Sequence, residues 1–386
     1  MSPLALRFTL GRSASRRIYP PGRAAFTLIE LLVTGAILLV LMLIFVSMVN
    51  QTGRAWTYAR EEISEFRNAR NGFEAMTRRL SQATLNTYWA YDNPNFPRAY
   101  IRQSELRFIS GPGLAGTGTT TPPRPTHSIF FQAPLGYVAP ASVGDTSYTA
   151  YTGLDNLLNT WGYYIELNGD ASPGVGPVPP FVTTPVRYRF RLMELMQPSQ
   201  SMRLYQNEIN AGGSLSYQLQ DWFNDQINAA SPPVHVLADN IIALVILPKL
   251  SPAMQTGTYM TGTYTYTDAS LAPSYLYDST GQGMTTISDA NLNPKSQLPP
   301  VVQVTMVAVE EASFGRFQGN ATTMPTVLGL DGLFTTVGDT TNPANPGYAQ
   351  DLQTLEKNLK SCHINYRIFT TDVKIKGAKW STAQTK

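Results

Sequence analysis

Glu30 is the residue of this sequence whose type and position most directly imply chemistry. It is the only charged residue in the run from Phe26 to Val49, which is otherwise uncharged and largely apolar. A carboxylate inside such a run is costly in a membrane unless a cationic group pairs with it. Glu30 therefore needs either a positively charged partner or contact with the lipid headgroups.

The residues elsewhere that could carry catalysis or bind a metal form no recognised pattern. The histidines, His127, His235 and His363, are far apart in the sequence. Cys362, the only cysteine, adjoins His363, and in a strand the two side chains would point to opposite faces. No G-x-S-x-G, P-loop or H-E-x-x-H pattern occurs. We therefore predict a protein that is not an enzyme, with no metal site and no cofactor.

Two glycine-containing patterns are interpreted as ordinary surface loops. The segment "GPGLAG", residues 111–116, matches G-x-G-x-x-G, but the Thr/Pro-rich segment after it cannot open the helix that a nucleotide cradle needs. Asp170 and Asp331 lie in loops without the closely spaced carboxylates that calcium prefers. We expect no nucleotide or calcium at these places.

The element that must position Glu30 is a long helix. As a helix, residues 26–49 would extend about 36 Å, which is enough to cross a bilayer, whereas a cleaved secretory signal has a shorter apolar region. Five arginines and no acidic residue precede the run, which favours a cytoplasmic N-terminus. The chain after residue 25 has 24 basic and 26 acidic residues, which gives no reason to expect nucleic-acid binding.

The helix is predicted to continue as an amphipathic segment over residues 50–85. No proline occurs between Phe26 and Asn93, and apolar residues recur at helical intervals along one face. These residues are Trp56, Ile63, Phe66, Phe73, Met76 and Leu80. Gly53 and Gly72 weaken the helix without ending it. We interpret the charged residues of this segment as a solvated face with local ion pairs. They are Arg60, Glu61, Glu62, Glu65, Arg67, Arg70, Glu74, Arg78 and Arg79.

The start of the apolar run carries a resemblance to a known family. The string "AFTLIELLV", with Phe26 first in the mature chain and Glu30 fifth, closely resembles the class III signal of type IV pilins and pseudopilins. That family usually has glycine before the cut, where this chain has Ala25. The resemblance implies that a prepilin peptidase removes residues 1–25 and that Phe26 is N-methylated. It also implies that Glu30 pairs with the N-terminal amine of a neighbouring subunit during assembly.

Beyond residue 86 the sequence changes to short apolar segments separated by turn-forming residues. In "VRYRFRL", residues 186–192, Tyr188, Phe190 and Leu192 alternate with arginines, as is typical of a half-buried strand. Further strands are predicted over 106–110, 128–132, 163–167, 241–247, 301–309 and 364–373. Helices are predicted over 215–230 and 349–360, and surface insertions over 111–126, 168–185 and 251–300.

The fold class predicted by these patterns is α+β. A long N-terminal helix, membrane-spanning over 26–49 and amphipathic over 50–85, precedes a β-rich domain over 86–386. The order of the segments "VRYRFRL", "HVLADNIIALVILP", "LPPVVQVTMVAVEE" and "INYRIFTTDVKIKGAKW" is similar to that in J-type minor pseudopilins of type II secretion. It is also similar to the prepilin-like cassette proteins of Verrucomicrobia. These resemblances imply a pilin-like domain, here with long loop insertions.

A cluster of tyrosines within residues 258–279 is open to two interpretations. Exposed tyrosines would offer contact area to a partner, whereas alternating Thr and Tyr are equally typical of an edge hairpin. The tyrosines are Tyr259, Tyr264, Tyr266, Tyr275 and Tyr277. The sequence does not decide between a binding surface and a structural hairpin.

Three functions are consistent with these patterns. The first is a minor pseudopilin-like structural subunit of a type II secretion-like or type IV pilus-like assembly. Its partners would be other pilins, through the N-terminal helix, the prepilin peptidase and the membrane, without nucleic acid. It would cross the bacterial inner membrane once, with a periplasmic domain that is extracted into a filament. The alternatives are a minor pilin that acts as an adhesin, and a membrane-anchored enzyme or binding domain that never polymerises.

Overall fold

Helix α1, Leu28–Leu80, has 53 residues and is the first and longest element in the part of the chain that the structure describes. The computed structural model describes residues 27–140, 146–176, 186–204, 220–259, 262–267, 270–281, 284, 292–338 and 347–381. The chain divides into two compact units, Met1–Arg60 and Glu61–Lys386. The predicted long helix is confirmed, and it ends at Leu80, five residues before the predicted limit. Arg78 and Arg79 lie in its last turn, where positive charge complements the helix dipole.

The second unit is rich in strands, as the sequence predicts. Its strands are β1 (Tyr88–Tyr91), β2 (Tyr100–Gln103), β3 (Ile109–Pro112), β4 (His127–Pro134), β5 (Leu158–Gly169), β6 (Tyr188–Gln197), β7 (Val234–Asp239), β8 (Ile241–Lys249), β9 (Thr256–Tyr259), β10 (Gly262–Thr265), β11 (Tyr277–Asp278), β12 (Val301–Val309) and β13 (Tyr366–Lys374). Its other helices are α2 (Asp221–Ile227), α3 (Glu311–Gln318) and α4 (Tyr348–Ser361). The described part of the chain is therefore a mixed fold in which a long apolar helix precedes a strand-rich unit.

Two antiparallel sheets form the framework of this unit. The larger sheet has six strands in the order β11-β3-β4-β5-β6-β7, and the smaller has the order β13-β12-β8. In the larger sheet, Ile165 of β5 lies opposite Leu192 of β6. In the smaller sheet, Val304 of β12 lies opposite Ile246 of β8. The pairs β1/β2 and β9/β10 form separate two-stranded hairpins.

Both faces of the six-stranded sheet are covered. On β5, alternate side chains such as Tyr163 and Ile165 enter the main core, which also holds residues of β8, β12 and the last turns of α1. Tyr164 lies on the other face, in a second core beneath α2. There Phe130 stacks on Phe223, with ring centroids 3.8 Å apart. The sheet is thus an internal layer of this unit.

Gly72 has a packing role that its helix propensity does not indicate. It is buried, and a Cβ atom at this position would lie 3.0 Å from Cβ of Ala238 and 3.3 Å from the backbone oxygen of Leu237. Glycine therefore lets α1 approach β7 closely. Glycine in a helix costs about 1 kcal/mol of stability relative to alanine. At position 72 its lack of a side chain permits the close packing of α1 on β7.

The prediction of a half-buried strand at "VRYRFRL" is wrong for Arg191. The alternation itself is correct, because Phe190 and Leu192 are buried on one face. However, the Arg191 side chain is only 2% exposed on the other face, where it forms an ion pair with Asp170 and donates to Asp239 Oδ1 at 2.8 Å. The second core buries this face as well, and alternation in one strand cannot reveal what lies above it.

The prediction that residues 251–300 form a surface insertion is also wrong in part. Leu271, Tyr275 and Tyr277 are fully buried in the main core. Tyr277 begins β11, which pairs with β3 at the edge of the larger sheet, and its hydroxyl donates to the backbone oxygen of Gln297 at 3.0 Å. A two-residue strand is too short to produce a periodic signal, so the sequence pattern could not reveal it.

Candidate functional site

The first turn of α1 holds Glu30, the predicted assembly residue. The backbone N–H and the hydroxyl of Thr27 both donate to Glu30 Oε2, each at 3.0 Å. In return, the backbone N–H of Glu30 lies 3.3 Å from Thr27 Oγ1. Since α1 begins at Leu28, Thr27 is the N-cap and Glu30 is the third helical residue. This reciprocal arrangement is a capping box.

The capping box gives Glu30 a local role that sequence analysis missed. The signal was present, because Thr followed three residues later by Glu before an apolar run is the pattern of a capping box. The carboxylate also lies at the positive end of the helix dipole. Ala25 and Phe26, the predicted processing and methylation residues, lie outside the described residues. The proposed amine partner of Glu30 therefore stays a prediction.

The segment that follows Glu30 is long and apolar enough to cross a membrane. It comprises Leu28–Thr57, and none of its most apolar window is buried within the protein. Thr34 and Thr52 donate their hydroxyls to backbone oxygens one turn earlier, Glu30 O and Met48 O, at 2.8 Å. These bonds satisfy polar side chains without water, as a lipid environment requires. This finding is compatible with the predicted membrane anchor.

The last turns of α1 lie in the main core of the second unit. Four of the six residues of the predicted apolar stripe are buried there. They are Phe66, Phe73, Met76 and Leu80. Trp56 is 69% exposed, and the side chain of Ile63 is outside the described set. The stripe is thus confirmed for the part that faces the sheets.

The prediction that the charged residues of this helix form a solvated face is wrong for Arg79. Its guanidinium forms an ion pair with Glu194, whose side chain is 7% exposed, and lies 4.4 Å from the centroid of the Trp161 ring. The hydroxyl of Tyr163 donates to the same Glu194 oxygen at 2.9 Å. Burial, reinforced by the Glu194 charge, raises the pKa of Tyr163 well above its ordinary value. Arg79 therefore ties the helix to β5 and β6.

The candidate catalytic and ligand-loop residues have structural roles where the structure describes them. Cys362 and His363 do not lie in a strand, because they follow the last residue of α4, and His363 has a φ of 56°. Gly111 has a φ of 153°, and a Cβ there would lie 2.9 Å from Leu276 Cα. The Asp331 carboxylate accepts the backbone N–H of Gly118 at 2.7 Å. No group of three metal-ligating side chains occurs among the described residues.

His127 is buried in the main core and held in a single tautomer. Nδ1 accepts the backbone N–H of Ile246 at 2.9 Å, so Nε2 carries the proton and donates to Phe334 O at 2.7 Å. Burial lowers the pKa of His127 to about 4, because the charged ring would lose its hydration. His127 is therefore a neutral structural residue near pH 7.

We expect His127 to lower the free energy of unfolding of the protein when the pH is lowered. Between pH 6.5 and pH 4 the unfolded chain binds a proton at His127 and the folded chain does not, so stability falls as the pH falls. The loss is about 3 kcal/mol at pH 4. Urea unfolding of the full chain at several pH values would measure it. His127→Gln, which keeps an acceptor and a donor without titrating, should lack this part of the pH dependence; identical profiles would contradict the assignment.

An exposed aromatic surface on the β1/β2 hairpin escaped sequence analysis. Its aromatic side chains are 43–74% exposed. They are Tyr88, Trp89, Tyr91, Phe96 and Tyr100. By contrast, two of the five tyrosines that the sequence offered as a binding surface, Tyr275 and Tyr277, are buried. The hairpin has two prolines near its tip, Pro94 and Pro97, and these obscure its strand pattern.

Comparison of the chain with family models, with curated proteins and with solved structures finds no match. Any assignment of function therefore depends on the chemistry of the N-terminal segment and of the strand-rich unit.

Proposed function

We propose that the chain is a pseudopilin-like structural subunit of a type II secretion-like or type IV pilus-like assembly. After a prepilin peptidase removes residues 1–25, the N-terminal helix anchors the subunit in the bacterial inner membrane. Glu30 then pairs with the methylated amine of Phe26 on a neighbouring subunit. The second unit faces the periplasm and is carried into the filament. In this role the protein has no catalytic activity of its own.

The observation that carries this proposal is that one continuous helix, α1, contains both the apolar segment and the turns that pack in the main core. From Leu28 to Val49 most side chains are apolar and Glu30 is the only charged residue, whereas the last turns of α1 are built into the core of the strand-rich unit. The capping box gives Glu30 a local role, but the Thr27 side chain can cap the helix by itself, so an anchor alone would not require a carboxylate at this position. A carboxylate at that position supports a charge contact within an assembly.

A second function, a minor pilin that acts as an adhesin, is favoured by one observation. The β1/β2 hairpin exposes five aromatic side chains, and tyrosine and tryptophan are enriched at binding hot spots. Labelling of intact cells with an antibody against the second unit would separate the two functions. Surface exposure on assembled filaments is expected for an adhesin, and protection inside the periplasm is expected for a secretion subunit.

Processing of the N-terminus is the most direct test of the proposal. Intact mass spectrometry of the protein from its native membrane is expected to show a chain that begins at Phe26 and carries one methyl group. The control is Phe26→Asp, which should leave residues 1–25 in place because it disrupts the signal. A mature wild-type chain that retains its arginine-rich leader, or that is cut beyond Val49, would overturn the proposal.

A further inference from the structure

A cavity of about 780 Å³ lies at one end of the face of the larger sheet that α2 covers. Its wall consists of loop 118–124, the end of β5 with the loop after it, the start of β6, the segment from the end of α2 to the start of β7, and loop 322–324. All of these belong to the second unit. The volume is within the range of small-molecule binding sites. The assembly function proposed above makes no use of this cavity.

The wall of this cavity is held in place by its own hydrogen bonds. The backbone N–H of Gly118 donates to Asp331 Oδ1 at 2.7 Å, and a Cβ at Gly118 would overlap Met324. On the opposite side, Arg124 donates to Asn228 Oδ1 at 2.8 Å and to Ala115 O at 3.1 Å. The cavity is therefore preformed, and a ligand would not need to order it.

The charges in the wall cancel each other. Only Arg124 and Glu166 are charged among the lining residues, and they pair at 2.9 Å with side chains 6% and 7% exposed. The second carboxylate oxygen of Glu166 accepts the amide of Asn168 at 2.9 Å. An anionic ligand would meet a carboxylate, and a cationic ligand would meet a guanidinium. The cavity therefore suits an uncharged ligand.

The remaining lining combines hydroxyl and amide groups with flat apolar surfaces. Hydroxyls come from the threonine-rich loop 119–121 and from Thr322 and Thr323, while prolines and Tyr188 supply apolar walls. Tyr164, also in the wall, has a buried hydroxyl without a hydrogen-bond partner among the described residues. From these features we propose that the cavity binds a short neutral saccharide, whose hydroxyls would meet the polar groups and whose C–H faces would meet the apolar walls.

A peptide fits this cavity less well, because β5, the strand that contributes the most lining residues, has no free edge there. A peptide that binds in extended form adds to the edge of a sheet through its backbone. Here β5 pairs with β6 along residues 160–169, and on its other side the N–H of Leu167 donates to Pro123 O at 2.9 Å. Recognition must therefore come from side chains, as it does for sugars.

The test uses the full chain in phosphatidylcholine nanodiscs, since glycoside detergents would compete for the site. Maltotriose, chitotriose and galactotriose are the neutral probes, trigalacturonate is the anionic probe, and a proline-rich hexapeptide is the peptide probe. Isothermal titration calorimetry measures binding of each. Thr323→Trp fills the cavity and is expected to weaken saccharide binding more than about tenfold. Thr326→Trp, an exposed threonine nearby that does not line the cavity, is the matched control and should bind as wild type.

A second cavity variant provides an independent test in case Thr323→Trp does not fold. The double variant Thr322→Val/Thr323→Val keeps the volume of both side chains but removes two hydroxyls, and is expected to weaken binding about tenfold. Binding of a neutral trisaccharide that both cavity variants weaken supports the proposal. It is overturned if no neutral saccharide binds, if both cavity variants bind it as wild type does, or if trigalacturonate or the peptide binds in preference. None of these outcomes depends on processing or filament assembly.

Discussion

Glu30→Gln is expected to reduce recovery of pilin-like partners at least about tenfold while membrane insertion remains intact. The substitution keeps the size of the side chain, and glutamine at this position can also complete a capping box with Thr27. Only the charge is lost. Insertion depends on the apolar residues of Leu28–Thr57, which the substitution leaves unchanged. In the proposed assembly, Glu30 supplies the counter-charge for the Phe26 amine of the neighbour, and an unpaired charge at that depth is strongly unfavourable.

A matched variant separates the charge of Glu30 from its capping role. Thr27→Val removes the N-cap and costs about 1 kcal/mol of helix stability, but it leaves the carboxylate in place. We therefore expect Thr27→Val to retain its partners. If the capping box were the essential feature, Thr27→Val would lose its partners and Glu30→Gln would retain them.

Cross-linking in the native membrane followed by affinity purification measures this effect. Recovery of other pilin-like proteins is expected to fall at least about tenfold for Glu30→Gln, with equal amounts of each variant in the membrane fraction. Equal recovery of partners by the wild-type and Glu30→Gln chains would refute the salt-bridge mechanism. A subunit at the tip of a filament has no neighbour above it, and for that position a smaller effect is expected.

Arg79→Met is expected to destabilise the second unit by about 3 kcal/mol or more, because it leaves the Glu194 carboxylate buried without its counter-charge. Methionine preserves much of the apolar stem of the side chain but also removes the guanidinium that lies over the Trp161 ring. Urea unfolding of the full chain in nanodiscs, followed by tryptophan fluorescence, gives the free energy of unfolding.

Arg78 provides the matched control for this prediction. It neighbours Arg79 in the same turn, and its side chain is exposed. We expect Arg78→Met to change the free energy of unfolding by less than about 0.5 kcal/mol. Adding Glu194→Gln to Arg79→Met should recover part of the lost stability, since the buried charge is then absent. Equal effects of the two arginine variants would show that the ion pair contributes nothing specific.

Much of the fold could be predicted from the sequence where the local pattern is strong. Helix α1, strand β12 over 301–309 and helix α4 follow from periodicity in single segments. The hairpin β1/β2, strand β7 and helix α3 were missed. They are short, and α3 carries Gly315 near its middle, so their local preferences are weak.

The N-terminal site and the cavity also differ in how far the sequence predicts them. The position of Glu30 relative to Phe26, and the apolar length that follows it, are properties of contiguous residues and can be read directly. The cavity wall comes from five segments between residues 118 and 324, and its charge balance depends on the Arg124–Glu166 pair, 42 residues apart. No local pattern encodes such a pair.

The sequence by itself determined that this protein has a long apolar helix with one acidic residue in its first turn, followed by a strand-rich region. These features depend on hydrophobic periodicity and on contacts within one or two helical turns. Only the tertiary structure decided that Arg79 pairs with the buried Glu194 and that Arg191 is a buried ion-pair partner. It also decided that Tyr275 and Tyr277 belong to the core and that both faces of the larger sheet are covered. The physical reason is that burial of a side chain depends on the segments packed against it, and those segments are distant in the chain.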